Sequence, residues 1–200
     1  MTTALATTPP DESRAARLIT DGLDPKTWII ADTVLIGWHT GHLTGIGWGL
    51  LGCLFAAVMP LAFIKYGIHR GRWADRHVGP RPQRIIVMGF VTVSVTTGIA
   101  SLSALGAPRT MVALVSAMLA TVVALLAVTP AWKISVHAAV SCGSVALLAM
   151  TYGPLMLLAG PLAAVVGWSR IELVDHTPAQ VLAGSAVGGA VAAGTFALVR

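Results

Sequence analysis

Charged residues and cysteines are scarce in this chain. Of its 200 residues only 10% are charged and only eight are acidic, whereas 56% are hydrophobic and the mean hydropathy is +0.80. A soluble core of this length needs far fewer apolar residues, so the composition excludes an ordinary soluble domain. The two cysteines, Cys53 and Cys142, both fall within apolar runs, which excludes a disulfide framework and a cysteine-based metal site.

Long apolar runs dominate what is present. A helix crosses a bilayer with roughly 17 to 25 apolar residues, because lipid offers the backbone no other hydrogen-bond partner. The sequence therefore predicts an all-α fold, a polytopic membrane bundle of about six transmembrane helices that forms one domain over 27–200. The predicted spans, of which 154–168 is short, are 44–66, 85–106, 110–129, 136–153, 154–168 and 177–199.

The N-terminal part lacks a run of this length. Residues 1–26 are expected to be disordered or interfacial, and MTTALATTPPDES has neither the basic start nor the apolar stretch of a cleavable signal. The apolar part of the next segment covers only 27–38 and contains Asp32. Its length of ~10 to 14 residues predicts a re-entrant or interfacial helix rather than a full span.

The polar loops are predicted to lie on one side of the membrane, here called the polar-loop face. If successive helices alternate in direction, the loops 65–84, 129–137 and 169–176 all come to this face, and the turn GAPR at 106–109 comes to the other. Three separate loops can then build one site.

These loops are rich in cations and hydroxyls, which suit an anion. Arginine offers phosphate a planar fork of donors, and Pro178 predicts a helix whose first free amides face the same place. The expected ligand is the anionic headgroup of a lipid. The candidate phosphate-binding residues are Arg76, Arg81, Arg84, Lys133, Ser135, Ser169 and Arg170.

His137 and His176 complete this group. Two histidines at an anion site can divide the roles of nucleophile and acid, because the ordinary pKa of imidazole is near neutrality. One would attack phosphorus to form a phosphohistidine, the other would protonate the leaving oxygen, and water would then release phosphate. Arginines would stabilise the transition state, and the scheme requires neither a metal nor a cofactor.

Two of these stretches resemble motifs of a known family. Lys133-Ile-Ser-Val-His137 and Ser169-Arg170-x5-His176 are similar to the second and third motifs of the type 2 phosphatidic acid phosphatase superfamily, integral membrane lipid phosphatases related in their core to vanadium haloperoxidases. The resemblance covers roughly 44–199. It implies a lipid-phosphatase core and hydrolysis of a phosphomonoester or diphosphate on a lipid, such as an isoprenoid phosphate or phosphatidate.

The resemblance also implies roles for single residues. His176 would be the nucleophile, His137 the general acid, and Arg170 and Ser135 phosphate ligands. The first motif matches only in part, at Arg81-Pro82. Ala74 stands at the position of its leading base, which Arg72 or Arg76 could replace, and Arg84 could replace Arg81 as the ligand.

Two further positions depart from the family. Val136 stands where the family commonly has glycine, and could narrow the approach of the backbone to phosphate. Gln180 stands where an aspartate usually orients the nucleophile, and its amide oxygen can still accept the imidazole N–H. Asp175 or Glu172 could help to orient His176.

Two other functions stay open. One is a magnesium-dependent intramembrane prenyl transferase or terpene cyclase acting on a prenyl diphosphate, with Asp75 beside Arg81-Pro82 as a sparse acidic motif. The other is a non-catalytic membrane protein that binds lipid phosphate. The expected partners are the bilayer and a lipid phosphate, since basic residues in a membrane chain report topology and headgroups rather than nucleic acid. Assembly into a homo-oligomer is left open.

The distribution of basic residues predicts the orientation. Eight Lys/Arg fall on the polar-loop face, against Arg109 and Arg200 on the other, so the positive-inside rule predicts a multi-pass protein of the cell membrane with its site on the cytoplasmic face. The eight are Lys65, Arg70, Arg72, Arg76, Arg81, Arg84, Lys133 and Arg170.

Glycines recur at small-xxx-small spacing, which is typical of closely packed membrane helices. The positions are Gly41, Gly45 and Gly49, and then Gly184 and Gly188.

Overall fold

A computed structural model describes residues 13–73 and 81–200 of the chain, except for the side chain of Arg81. Within these ranges the chain is helical and has no strand. A π-helical turn at Leu54–Val58 joins α2 to α3, and a 3-10 turn at Pro154–Ala159 precedes α7. The α-helices are α1 (Arg14–Gly22), α2 (Pro25–Cys53), α3 (Met59–His69), α4 (Arg81–Ala104), α5 (Arg109–Val128), α6 (Val136–Tyr152), α7 (Gly160–Glu172) and α8 (Pro178–Val199).

Five helical stretches are long and apolar enough to cross a membrane, and α6 is a shorter apolar helix. The chain is therefore a multi-pass integral membrane protein whose described residues are all-helical, which confirms the all-α membrane class predicted from composition. The run expected to be short, 154–168, becomes the 3-10 turn followed by α7. The five stretches are Arg14–His69, Pro82–Ala104, Arg109–Val128, Pro154–Glu172 and Pro178–Val199.

The first of these stretches doubles back on itself within α2. The backbone leaves the helical region at Gly41 and His42, where His42 has a φ of 49°. A Cβ on Gly45 would lie 1.9 Å from the Gly37 carbonyl oxygen, and a Cβ on Gly49 would lie 2.2 Å from that of Thr33. The segments 25–40 and 43–53 are thus the two antiparallel arms of a helical hairpin.

The hairpin runs the depth of the bundle. The hydroxyl of Tyr152, the last residue of α6, donates a hydrogen bond to the Leu35 carbonyl, and its ring packs edge-on against His39. The hairpin turn therefore lies at the end of the bundle opposite the polar-loop face. Ile36 is fully buried. The sequence predicted a re-entrant or interfacial helix over 27–38; in the structure this arm extends alongside α6 and the second arm of the hairpin covers it.

The small-xxx-small prediction is confirmed for Gly45, Gly49, Gly184 and Gly188, each of which touches a neighbouring backbone. It is wrong for Gly41, where a Cβ would meet nothing within 4 Å. This glycine serves the turn of the hairpin instead.

The closest helix packing joins α6 to α8. A Cβ on Gly184 would lie 2.5 Å from the Ser135 carbonyl oxygen, and a Cβ on Gly188 would lie 2.0 Å from that of Ala139. The Ser135 amide also donates to the Gln180 carbonyl at 3.2 Å. From the Gly184–Ser135 contact to the Gly188–Ala139 contact the position advances by four residues along both helices. Helices α6 and α8 are therefore parallel and begin side by side at the polar-loop face.

Helix α1 lies at the same face and packs against α7. Ser13 caps its first turn by accepting from the Ala16 amide, and Ala16 and Thr20 form its buried side. Leu18, on the other side, is exposed. The segment predicted to be disordered or interfacial therefore contains a docked helix over 14–22.

A Gly188→Ala substitution tests the α6–α8 contact. Its methyl group would collide with the Ala139 backbone, and we expect a loss of about 1–3 kcal/mol in the free energy of unfolding, as for overpacking elsewhere. Gly189→Ala is the matched control, because a Cβ there meets nothing within 4 Å. Unfolding in detergent, followed by circular dichroism, would contradict the packing if both variants lost the same stability.

Candidate active site

One cavity of about 480 Å³ brings the polar loops together with α1 and the start of α2. Five cationic and four acidic side chains line it, together with two histidines. Most of these charges cluster at the polar-loop face. The polar residues around that end are Arg17, Asp21, Asp24, Lys26, Arg84, Lys133, His137, Arg170, Asp175 and His176.

The same cavity continues into the apolar interior. Ala192 lines it 14 residues beyond the start of α8 at Pro178 (192 − 178), a depth of about 20 Å at 1.5 Å per residue. Val95, Met118 and Leu147 line the deep part from three other helices. The cavity therefore joins a cluster of charged side chains at the polar-loop face to a deep, largely apolar space.

The geometry around His176 fixes which ring nitrogen carries a proton. Nδ1 lies 3.1 Å from the Lys133 carbonyl oxygen and 3.2 Å from Gln180 Oε1. The Thr177 amide donates to Gln180 Oε1, so that atom is an acceptor. Because both neighbours of Nδ1 accept, Nδ1 carries the hydrogen and Nε2 holds the lone pair. The hydrogen bond from His176 Nδ1 to Gln180 Oε1 thus fixes the orientation of the imidazole ring.

Burial keeps this imidazole neutral. Desolvation, the largest cause, and the positive charges of Arg170, Lys133 and Arg84 together lower the pKa of His176 to about 4, although its hydrogen bond to Gln180 acts in the opposite direction. Only 9% of the residue is exposed. At neutral pH His176 therefore presents an unprotonated Nε2, the form that a nucleophile requires.

Arg170 is held in place by two neighbours. Its Nη2 lies 2.8 Å from Asp175 Oδ2, and its Nη1 lies 3.5 Å from Thr20 Oγ1. The Ser169 hydroxyl donates to the Val166 carbonyl, so at 2.9 Å it accepts from the Thr20 hydroxyl. Helix α1 thereby contributes directly to the position of the arginine.

Arg84 and Lys133 supply two more positive charges. The Nη2 of Arg84 donates to the Ile134 carbonyl at 3.0 Å, which ties the first turn of α4 to the loop before α6. Arg84 is buried, and Lys133 is partly exposed. Cations that are already fixed in place can stabilise a phosphoryl group without reorganising.

The candidate phosphate ligands fall into three groups. Arg84, Lys133 and Arg170 line the cavity. Ser135 and Ser169 are buried outside it: Ser135 caps α6 by accepting from the Ala138 amide, and Ser169 bonds Thr20. Structural roles therefore use both hydroxyls. Arg76 lies outside the described residues, and of Arg81 only the backbone is described.

The other site residues also have definite places. His137, in the first turn of α6, lines the cavity with His176. Asp175 pairs with Arg170, whereas Gln180 contacts the His176 ring. Within 13–73 and 81–200, no three His, Cys, Asp or Glu side chains are grouped as metal ligands would be.

Sequence reasoning missed the contribution of the N-terminal segment. Arg17, Thr20 and Asp24 all meet the site, although they precede the apolar core by sequence. The available signal was SRAARLITDG, in which a serine cap precedes a strongly amphipathic turn pattern. Such a pattern predicts a helix at an interface, but it does not indicate which loop the helix covers.

Comparison with known proteins adds no identification. No family model, no curated protein and no solved structure matches the chain.

The depressed pKa of His176 makes a testable prediction. In histidine-labelled protein, with the signal assigned by His176→Asn, we expect its NMR titration midpoint near pH 4 rather than 6.5. Since the folded state binds this proton more weakly than the unfolded chain, protonation favours unfolding. His176 should therefore make stability fall as the pH is lowered from about 6.5 to about 4. A midpoint at 6.5 would contradict the buried, cation-lined geometry.

Proposed function

We propose that the chain is a membrane lipid phosphatase that hydrolyses a phosphomonoester or diphosphate of a lipid through a phosphohistidine on His176. The carrying observation is the neutral His176, whose Nδ1 is held by two acceptors beside Arg84, Lys133 and Arg170. A nucleophile among fixed cations suits a phosphoryl group. The apolar continuation of the cavity suits the lipid chain.

The proposed reaction has two steps. The His176 Nε2 attacks phosphorus, a P–N bond forms and the P–O bond to the lipid breaks, while His137 gives its proton to the leaving oxygen. Water then attacks phosphorus, the P–N bond breaks, and His137 recovers a proton from that water. The products are the dephosphorylated lipid and inorganic phosphate. Arg170, Arg84 and Lys133 stabilise the charge on the phosphoryl oxygens in both steps.

The resemblance to type 2 phosphatidic acid phosphatases supports this assignment of roles, and the departures from it affect rate. Gln180 orients His176 as an aspartate would, but a neutral amide stabilises an imidazolium less. Val136 lines the cavity next to His137 and takes space beside the phosphate. We therefore expect slower turnover than a member with glycine and aspartate at these positions.

Phosphate release by the purified protein in detergent tests the proposal. With EDTA present, phosphatidate, lysophosphatidate and prenyl mono- and diphosphates are offered in turn. We expect release from at least one of them, and a loss of roughly 10³-fold or more in His176→Ala, because the nucleophile is removed. His69→Ala is the matched control, since His69 ends α3 outside the cavity lining and should keep full activity.

Three other outcomes would point elsewhere. Release of diphosphate from a prenyl diphosphate that occurs with magnesium and is abolished by EDTA would favour the magnesium-dependent prenyl transferase or cyclase, whose acidic residue Asp75 lies outside the described residues. Binding of lipid phosphate without release would favour a non-catalytic protein. Release that survives in His176→Ala would refute the phosphohistidine route.

We further propose that the protein lies in the cell membrane with its site on the cytoplasmic face. The docked α1 and the hairpin bring Arg14, Arg17 and Lys26 to the polar-loop face, which adds to its excess of positive charge. A cysteine at Arg72 should react with an impermeant maleimide only after cells are opened, in a background of Cys53→Ala and Cys142→Ala. A cysteine at exposed Leu105, on the opposite face, should react in intact cells. The reverse pattern would overturn this orientation.

A further inference from the structure

Asp32 lines the membrane part of the cavity and has no role in the phosphoryl mechanism. Only 1% of the residue is exposed. Its Oδ2 accepts a hydrogen bond from the Ser144 hydroxyl at 2.6 Å, whereas its Oδ1 has no hydrogen-bond partner among the described residues. Buried polar atoms are almost always satisfied, so an unsatisfied acceptor in a cavity wall indicates a ligand that donates.

The depth of this pair follows from the two helices that carry it. Asp32 lies seven residues beyond Pro25 (32 − 25), and Ser144 lies seven beyond His137 (144 − 137). Both helices begin at the polar-loop face, so the pair sits about 10 Å below the headgroup site at 1.5 Å per residue. Around it the walls are largely apolar, as Ala57 and Leu147 illustrate.

We infer that Asp32 and Ser144 form a second subsite, which receives a hydrogen-bond donor carried on the lipid chain below its phosphate. The donor is a hydroxyl or a protonated amine. The inference rests on the proposed function, because the phosphate at His176 sets the level at which the chain enters. Ser144 engages Oδ2 and so directs Oδ1 to the ligand. The subsite selects lipids with a donor at this depth against those with only hydrocarbon there.

Competing occupants fit less well. A metal ion would find one carboxylate and one hydroxyl, and the described His, Cys, Asp and Glu form no group of three around it. A buried water could satisfy Oδ1, but it would give no preference among lipids. A preference for lipids that carry a donor at this depth therefore distinguishes a ligand subsite from a space that holds only a buried water.

The test uses hexadecyl phosphonates, which bind without being hydrolysed, and the matching phosphates. A single hydroxyl, amine or keto group is moved carbon by carbon along about the first two thirds of the chain, so that the scan includes the depth of the Asp32–Ser144 pair. For the native protein we expect one position at which the hydroxyl or amine binds at least about tenfold more tightly than the unsubstituted chain. The keto group, which only accepts, should give no advantage there.

Three variants assign this preference. Asp32→Leu should reduce it to about onefold while the affinity for the unsubstituted probe stays within about threefold. Asp32→Asn keeps the shape and adds an N–H donor, so it should gain affinity for the keto probe. Thr121→Val is the matched control: Thr121 lines the same cavity, but its hydroxyl bonds the Ala117 carbonyl, and the preference should persist. Thermal unfolding verifies that each variant is folded.

The outcomes separate the two proposals. Phosphate release without any donor preference, or a preference that survives in both Asp32 variants, would overturn the subsite and leave the phosphatase intact. A preference for the keto probe in the native protein would overturn it as well. Preferential phosphonate binding through Asp32 without release from the phosphates would support the subsite and refute the phosphatase.

Discussion

The close contact of α6 with α8 is the constraint on which the candidate site depends. Gly184 and Gly188 carry no side chain, so the backbones of Ser135 and Ala139 lie directly against α8. The two helices are parallel, and their first turns therefore meet at one height in the membrane. His137 opens one helix and His176 immediately precedes the other, so the packing that joins the helices also joins the histidines. Any side chain at these glycines would separate the two groups that the proposed chemistry requires.

Electrostatics at the site involves a balance between binding and reactivity. The cations that attract a phosphate also lower the pKa of His176, and burial does so more strongly. A neutral glutamine beside Nδ1 leaves that effect largely uncompensated. In the proposed mechanism the resting site would be prepared for attack by a neutral imidazole, whereas the positively charged intermediate would receive less support than a carboxylate provides. A dianionic phosphate, if it binds as proposed, would add the missing negative charge.

The fold was largely predictable from sequence, because apolar length and the need to satisfy the backbone leave few alternatives in lipid. The hairpin of α2 was not, since its first arm contains Asp32 and is interrupted by polar residues that suggest an interface. Arg84, Arg170, His137 and His176, which line the cavity, were selected from their charge and polarity in otherwise apolar surroundings, whereas Arg17 was not. Ser135 and Ser169 show the limit of that reasoning, because a hydroxyl near a phosphate motif can equally cap a helix or bond a neighbouring helix. Helix α1 was missed because its partner lies almost the whole chain away.

That separation has a consequence for how the protein is made. Thr20 meets Ser169 across 149 residues, so helix α1 cannot dock in this way until the ribosome has made α7. Until α7 has been made, the cationic pocket lacks its contact with α1, and docking of α1 is therefore a late event in folding. A fusion or bulky tag placed ahead of residue 13 would hinder the docking of α1. A tag after the carboxyl end of α8, at the far end of the bundle, would be remote from that contact.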